Sequence, residues 1–93
     1  MIKINIKDNE ISIKGHAMYD DFGKDIVCAS VSSIVITTVN AIERLEREAI
    51  SYTEKPFVLK ILKESDIVNT LIENMISLLK QLEIEYPDNI KFI

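Results

Sequence analysis

The chain has one cysteine, one histidine, two glycines, two prolines and no tryptophan among its 93 residues. Each scarcity excludes something. One cysteine cannot close an internal disulfide, and a lone thiol suits a reducing compartment. With one histidine beside it, a Cys/His zinc site would have to borrow carboxylates or a second subunit, so no metal or other cofactor is expected. The few glycines and prolines leave no flexible linker, low-complexity tract or internal repeat. Cations are outnumbered: eleven Lys and Arg stand against fifteen Asp and Glu, a net charge of -4. They are scattered along the chain rather than gathered into a basic stripe, so direct nucleic-acid binding is not expected. Apolar residues, at 47%, are plentiful enough to build a core and exclude disorder.

The longest apolar-leaning run, "DIVCASVSSIVITTVNAI", is interrupted by Ser, Thr and Asn and flanked by charge, and is read as falling short of a membrane span. The opening "MIKINIKDNE" alternates Ile with polar residues instead of showing a basic region followed by an apolar block. No secretory signal is therefore expected, and a cytoplasmic location with no membrane partner is the default. The length suits one domain over 1–93, so any site must share its single core.

Periodicity places the elements. "IKINI" at 2–6 and "EISIK" at 10–14 alternate as strands with one buried face, joined by a tight turn at Asp8 and Asn9. From Asp25 the period becomes helical and continues to about Glu48, with Val27, Val31, Ile34, Thr38, Ala41 and Leu45 as the expected inward stripe. "ISYT" at 50–53 and "FVLKILK" at 57–63 read as two more strands around a turn containing Pro56. Ser65 or Asp66 can cap a second helix with a stripe of Val68, Leu71, Met75, Leu78 or Leu79, Leu82 and Tyr86, closed by Pro87. "NIKFI" can add a last short strand. The order ββαββαβ predicts an α+β two-layer sandwich, with two helices packed on a mainly antiparallel sheet.

The scarce residues are not spread evenly. Residues 14–33, "KGHAMYDDFGKDIVCASVSS", hold His16, Cys28 and both glycines, Gly15 and Gly23. With Asp25 as N-cap, Cys28 falls at the third helical position, where unpaired N–H groups and the positive end of the helix dipole favour a thiolate. His16, at the far end of the intervening loop, has the chemistry of a general base. Ser32 lies one turn beyond Cys28 on the same face and Asp25 three residues before it, so both can share a cleft with the sulfur. Blander readings stand beside these. A lone cysteine among Val, Ile and Ala also suits a small buried hydrophobe, Asp25 a plain cap, Ser32 a hydroxyl bonded to the preceding turn, and the glycines simple turn-formers. A redox role for Cys28 is disfavoured by the lack of a resolving cysteine.

The stretch "GHAMYDDFGKDIVCASVSS" resembles the signature of the ribosomal-processing cysteine protease family, Prp, also called YsxB-like, and the likeness extends to the terminal "EYPDNIKFI". Met18 departs from it where glycine is common, and Ser30 where alanine is common. The resemblance implies a peptide-bond hydrolase with Cys28 as nucleophile and His16 as general base and acid. It implies a Gly15 that shapes the histidine loop, Gly15 and Gly23 as hinges, and Asp25 and Ser32 as residues of the cleft. It further implies a homodimer that removes the N-terminal extension from the precursor of ribosomal large-subunit protein twenty-seven. The loop from Gly15 to Lys24 would close over an extended peptide, in an apolar groove to which Met18, Tyr19 and Phe22 can contribute. Oxyanion donors are expected among the N–H groups at the helix start, near Cys28 itself. The reading from another class is a non-catalytic ribosome-associated module that binds the peptide without cutting it.

Overall fold

The computed structural model describes residues 1–18 and 25–93. Strands β1 (Ile2–Lys7) and β2 (Glu10–Lys14) form the expected hairpin, with Asp8 in the turn at a φ of 55°. Asp is one of the few residues that tolerate that left-handed region, which is why this turn works without glycine. The register sets Ile4 opposite Ile13 and Ile6 opposite Ile11, so the isoleucines share one face. Helix α1 (Ile26–Leu45) follows, then the antiparallel pair β3 (Ile50–Glu54) and β4 (Phe57–Ile61), helix α2 (Asp66–Glu85) and the short β5 (Ile90–Phe92). The five strands make one sheet in the order β3-β4-β2-β1-β5. Every pairing is antiparallel except β1 with β5, which α2 returns parallel to its neighbour as a crossover requires.

Both helices lie on one side of this sheet. Ile2, Ile4, Ile11, Leu59 and Ile90 meet Val27, Val31, Val35, Val39 and Ile42 of α1 and Val68, Ile72, Met75 and Leu79 of α2 in one buried cluster. Each such side chain contributes on the order of 1.5–3 kcal/mol by leaving water, so this interface is the main source of stability. Thr38, buried among them, donates its hydroxyl to the Ile34 carbonyl at 2.9 Å and so brings no unsatisfied group into the core.

The inward stripe of α1 differs from the expected one. Val35, Val39 and Ile42 are buried, whereas Leu45 is 61% exposed. Ile34, Ala41 and Leu45 flank the buried stripe on one side, and Ile26 and Ile36 interrupt the polar face of Ser30, Ser33, Thr37, Asn40 and Arg44, so periodicity alone does not fix the rotation. Length and composition make α1 apolar enough to cross a membrane, contrary to the sequence reading, but here it serves as a core helix. It ends at Leu45 rather than near Glu48, because Glu48 takes a φ of 63° that turns the chain towards β3. On α2 the ambiguous stripe position resolves to Leu79, with Leu78 at the surface.

The edges of the sheet are treated differently. The Phe92 N–H of β5 donates to Glu83 Oε2 of α2 at 2.7 Å, and Lys80 sits over the Phe92 ring at 5.7 Å. A carboxylate thus covers one edge that would otherwise invite another strand.

Candidate active site

Where β2 ends, the chain must turn back towards the start of α1. Gly15 makes this turn at a φ of 91°, and a Cβ there would collide with the carbonyl oxygen of Met1. Positive φ and close approach both require glycine, so Gly15 has a reason in packing that does not depend on hinging. Gly23, the other expected hinge, and Tyr19 and Phe22 lie outside the described residues.

After Gly15, His16 is exposed and Ala17 is buried. Two bonds hold the Ala17 peptides in place. The Ala17 N–H donates to Cys28 Sγ at 3.3 Å, and Asn89 Nδ2 donates to the Ala17 carbonyl at 2.8 Å. The histidine segment is therefore stitched on one side to the cysteine and on the other to the residue that leads into β5. Asn89 also accepts from the Ile2 N–H through its own carbonyl at 2.8 Å, joining the loop, β1 and β5 at one point. Sequence reasoning missed Asn89. The available signal was a polar amide immediately before a buried strand, within the terminal stretch that carried the family likeness.

Cys28 is half-buried, with its inner side against the core. Asp25 is the N-cap of α1, as expected, and its Oδ1 accepts from the N–H groups of both Val27 and Cys28 at 3.0 Å. This geometry starts the helix so that Cys28 occupies its first turn. It also corrects one expectation: the Cys28 and Val27 N–H groups are engaged by the cap and do not serve as ready oxyanion donors. The N–H group directed at the sulfur comes from the histidine loop instead.

Cys28 and His16 line the same open groove. Ser32 borders it one helical turn beyond the cysteine, and the β3–β4 turn at Lys55 and Pro56 forms the opposite wall. The groove continues along α1, past Val31, Val35 and Val39, towards Tyr52 and Phe57, whose rings lie 6.3 Å apart. Among the described residues its apolar lining comes from α1, the β3–β4 hairpin and Ile13 of β2. Met18, one of the expected lining residues, is 81% exposed, with a φ of 54°. Among the described residues no group of His, Cys, Asp and Glu is arranged to hold a metal ion. A half-exposed thiol, a neighbouring imidazole and a long cleft with apolar walls can support nucleophilic chemistry on an extended, partly apolar chain.

Comparison with known proteins agrees with that chemistry. The ribosomal processing cysteine protease Prp of Mycoplasma genitalium is 35% identical, over 97% of this chain and 92% of its own. The Staphylococcus aureus protein of the same name is 31% identical, over 91% of this chain and 85% of its own. A crystal structure of the essential ribosomal processing protease Prp from S. aureus, in complex with a covalently linked product peptide, superposes with a TM-score of 0.83 at 30% identity, covering 98% of this chain and 94% of that one. A second S. aureus Prp structure, with a substrate peptide, gives a TM-score of 0.71 at 28% identity, covering 99% and 95%. The sequence model of the family described as cysteine protease Prp matches residues 1–91, and this chain belongs to that family.

Proposed function

We propose that the protein removes the N-terminal extension from the precursor of ribosomal large-subunit protein twenty-seven, using Cys28 as nucleophile and His16 as its base and acid. The observation that carries this reading is the Ala17 N–H at 3.3 Å from Cys28 Sγ, in a groove that His16 also lines. The Ala17 N–H fixes the sulfur at the floor of that groove, facing the space an extended peptide would occupy. That the S. aureus relative was crystallised with substrate and covalently linked product peptides supports an acyl-transfer site.

In this reading His16 takes the Cys28 proton, and the thiolate adds to the scissile carbonyl to give a tetrahedral oxyanion. Collapse of that intermediate breaks the C–N bond, and His16 returns the proton to the departing amine. A thioester now joins the extension peptide to Cys28. Water, deprotonated by His16, adds to the thioester carbonyl, and collapse releases the carboxylic acid and the thiol. With the Val27 and Cys28 N–H groups engaged by Asp25, the Ala17 N–H beside Cys28 Sγ is a candidate donor for the developing oxyanion. Losing one such donor typically slows turnover by about 100- to 1,000-fold. The apolar groove along α1 accommodates bulky residues flanking the cut.

Incubation with the precursor should give a single cleavage, which Cys28→Ala and His16→Ala should each abolish. Full cleavage by Cys28→Ala would overturn the mechanism, and binding without cleavage by the unmodified protein would favour a non-catalytic peptide-binding module. A cytoplasmic homodimer belongs to the same proposal, and sedimentation equilibrium of the purified chain checks its stoichiometry.

A further inference from the structure

The sheet has a second face, turned away from both helices, and its residues are not randomly charged. The register sets Lys14 of β2 opposite Lys3 of β1, and Lys3 opposite Lys91 of β5, a lateral row of three exposed cations. The next row is neutral, with Asn5, Ser12, Val58 and Thr53 side by side. The third contains Lys7, Glu10, Lys60 and Ser51. Five lysines and one glutamate thus share the solvent face of a chain whose net charge is -4. Lysines separated by tens of positions in the sequence become neighbours only through strand pairing, so their linear scatter concealed a basic surface.

Adjacent strands lie about 4.8 Å apart, which places the Lys14–Lys3–Lys91 row within about 10 Å. Like charges directly opposite one another weaken a sheet. A solvated face with no partner has no physical reason to gather them, and departures from local design rules concentrate at functional surfaces.

We propose that this face docks on the phosphate backbone of RNA. The Lys14–Lys3–Lys91 row matches phosphates, Lys7 and Lys60 flank Glu10 in the third row and leave it one net positive charge, and the amide and hydroxyls of Asn5, Ser12 and Thr53 between the rows can bond to phosphate oxygens and ribose hydroxyls. Asn5, Ser12, Lys7 and Lys60 border a depression that Asp8 and Glu10 also line, so the backbone is expected to follow the Lys14–Lys3–Lys91 row rather than enter that depression. The rows contain no aromatic or long aliphatic side chain to insert into a bilayer, and no apolar centre of the kind a dry protein interface needs. Lys14 belongs both to this face and to the rim of the groove that holds His16. Docking would therefore set the mouth of the groove beside the RNA, where a peptide tethered to that RNA is within reach. The proposal stands on the lysine register and does not depend on the peptidase reading.

The test is fluorescence anisotropy of a labelled oligouridylate RNA titrated with the full chain over a range of KCl concentrations. Binding is expected, with log K falling linearly as log salt rises. Lys3→Gln/Lys91→Gln should lower the magnitude of that slope by about 1.4, because each single-strand phosphate contact contributes about 0.7. Arg47→Gln/Lys63→Gln makes the same change in net charge away from the face and should leave the slope unaltered. Both variants replace exposed side chains, and circular dichroism verifies their folding. Absence of binding at low salt, or an equal loss in the two variants, would overturn the proposal. So would capture by polyglutamate or by phosphatidylserine vesicles as tight as capture by RNA.

Discussion

Asn89 does work that its position near the end of the chain does not advertise. Its side-chain amide holds the Ala17 carbonyl, and the next peptide back presents its N–H to Cys28 Sγ. Replacing it with alanine leaves a half-buried carbonyl without that donor, a loss of about 1–3 kcal/mol in stability. The same change releases the N–H that faces the sulfur, so Asn89→Ala should also slow alkylation of Cys28 by iodoacetamide under conditions where the protein remains folded. A purely structural role would lower the unfolding midpoint and leave the alkylation rate alone. Gly15 makes a different prediction. Alanine at this position meets both an unfavourable φ and the Met1 carbonyl, and the loss, on the order of 1–3 kcal/mol, should be read as a lower urea midpoint. At this scale the Asp25 cap was legible because its chemistry is local to a helix start, and His16 and Cys28 line one groove. Asn89 was not, since its partner lies 72 positions away and no periodicity links them.

Helix α2 was readable because its apolar residues form one stripe, whereas α1 carries Ile26, Ile36 and Leu45 exposed outside its buried stripe and needed the sheet to fix its rotation. Single substitutions test that rotation. Ile42→Ala should cost about 2–5 kcal/mol, as a large-to-small change in a core does, whereas Leu45→Ala should fall within about 0.5 kcal/mol of the parent. Comparable losses at the two positions in denaturant unfolding would contradict the structure. The cap of the same helix gives another measurement. Asp25 accepts from two N–H groups, and Asp25→Ala should cost about 0.5–2 kcal/mol, whereas Asp25→Asn, also a good cap, should recover most of it. The apolar groove was expected; among the described residues α1, the β3–β4 hairpin and Ile13 of β2 line it, while Tyr19 and Phe22, two of the three loop residues expected there, lie outside the described residues.

For the molecule as a whole, the order ββαββαβ led directly to two layers, but it did not contain the strand neighbours. That β5 returns to lie parallel beside β1 follows from the crossover through α2, and that the lysines share a face follows from the register; neither is a property of any segment alone. The placement of β5 has a direct test. Ile90 is fully buried and pairs with Ile2. Removing residues 89–93 should therefore abolish the cooperative urea transition instead of merely trimming an end, and a truncated chain with an unchanged transition would show that β5 is dispensable.

The bond between Asn89 and Ala17 also sets a timetable. A nascent chain exposes residues 16–28 long before residue 89 has been synthesised. Until then the segment bearing His16 lacks one of its two anchors, and β1 lacks its parallel neighbour. The groove lined by His16 and Cys28 therefore takes its final form only with contacts that the last residues of the chain to be synthesised bring.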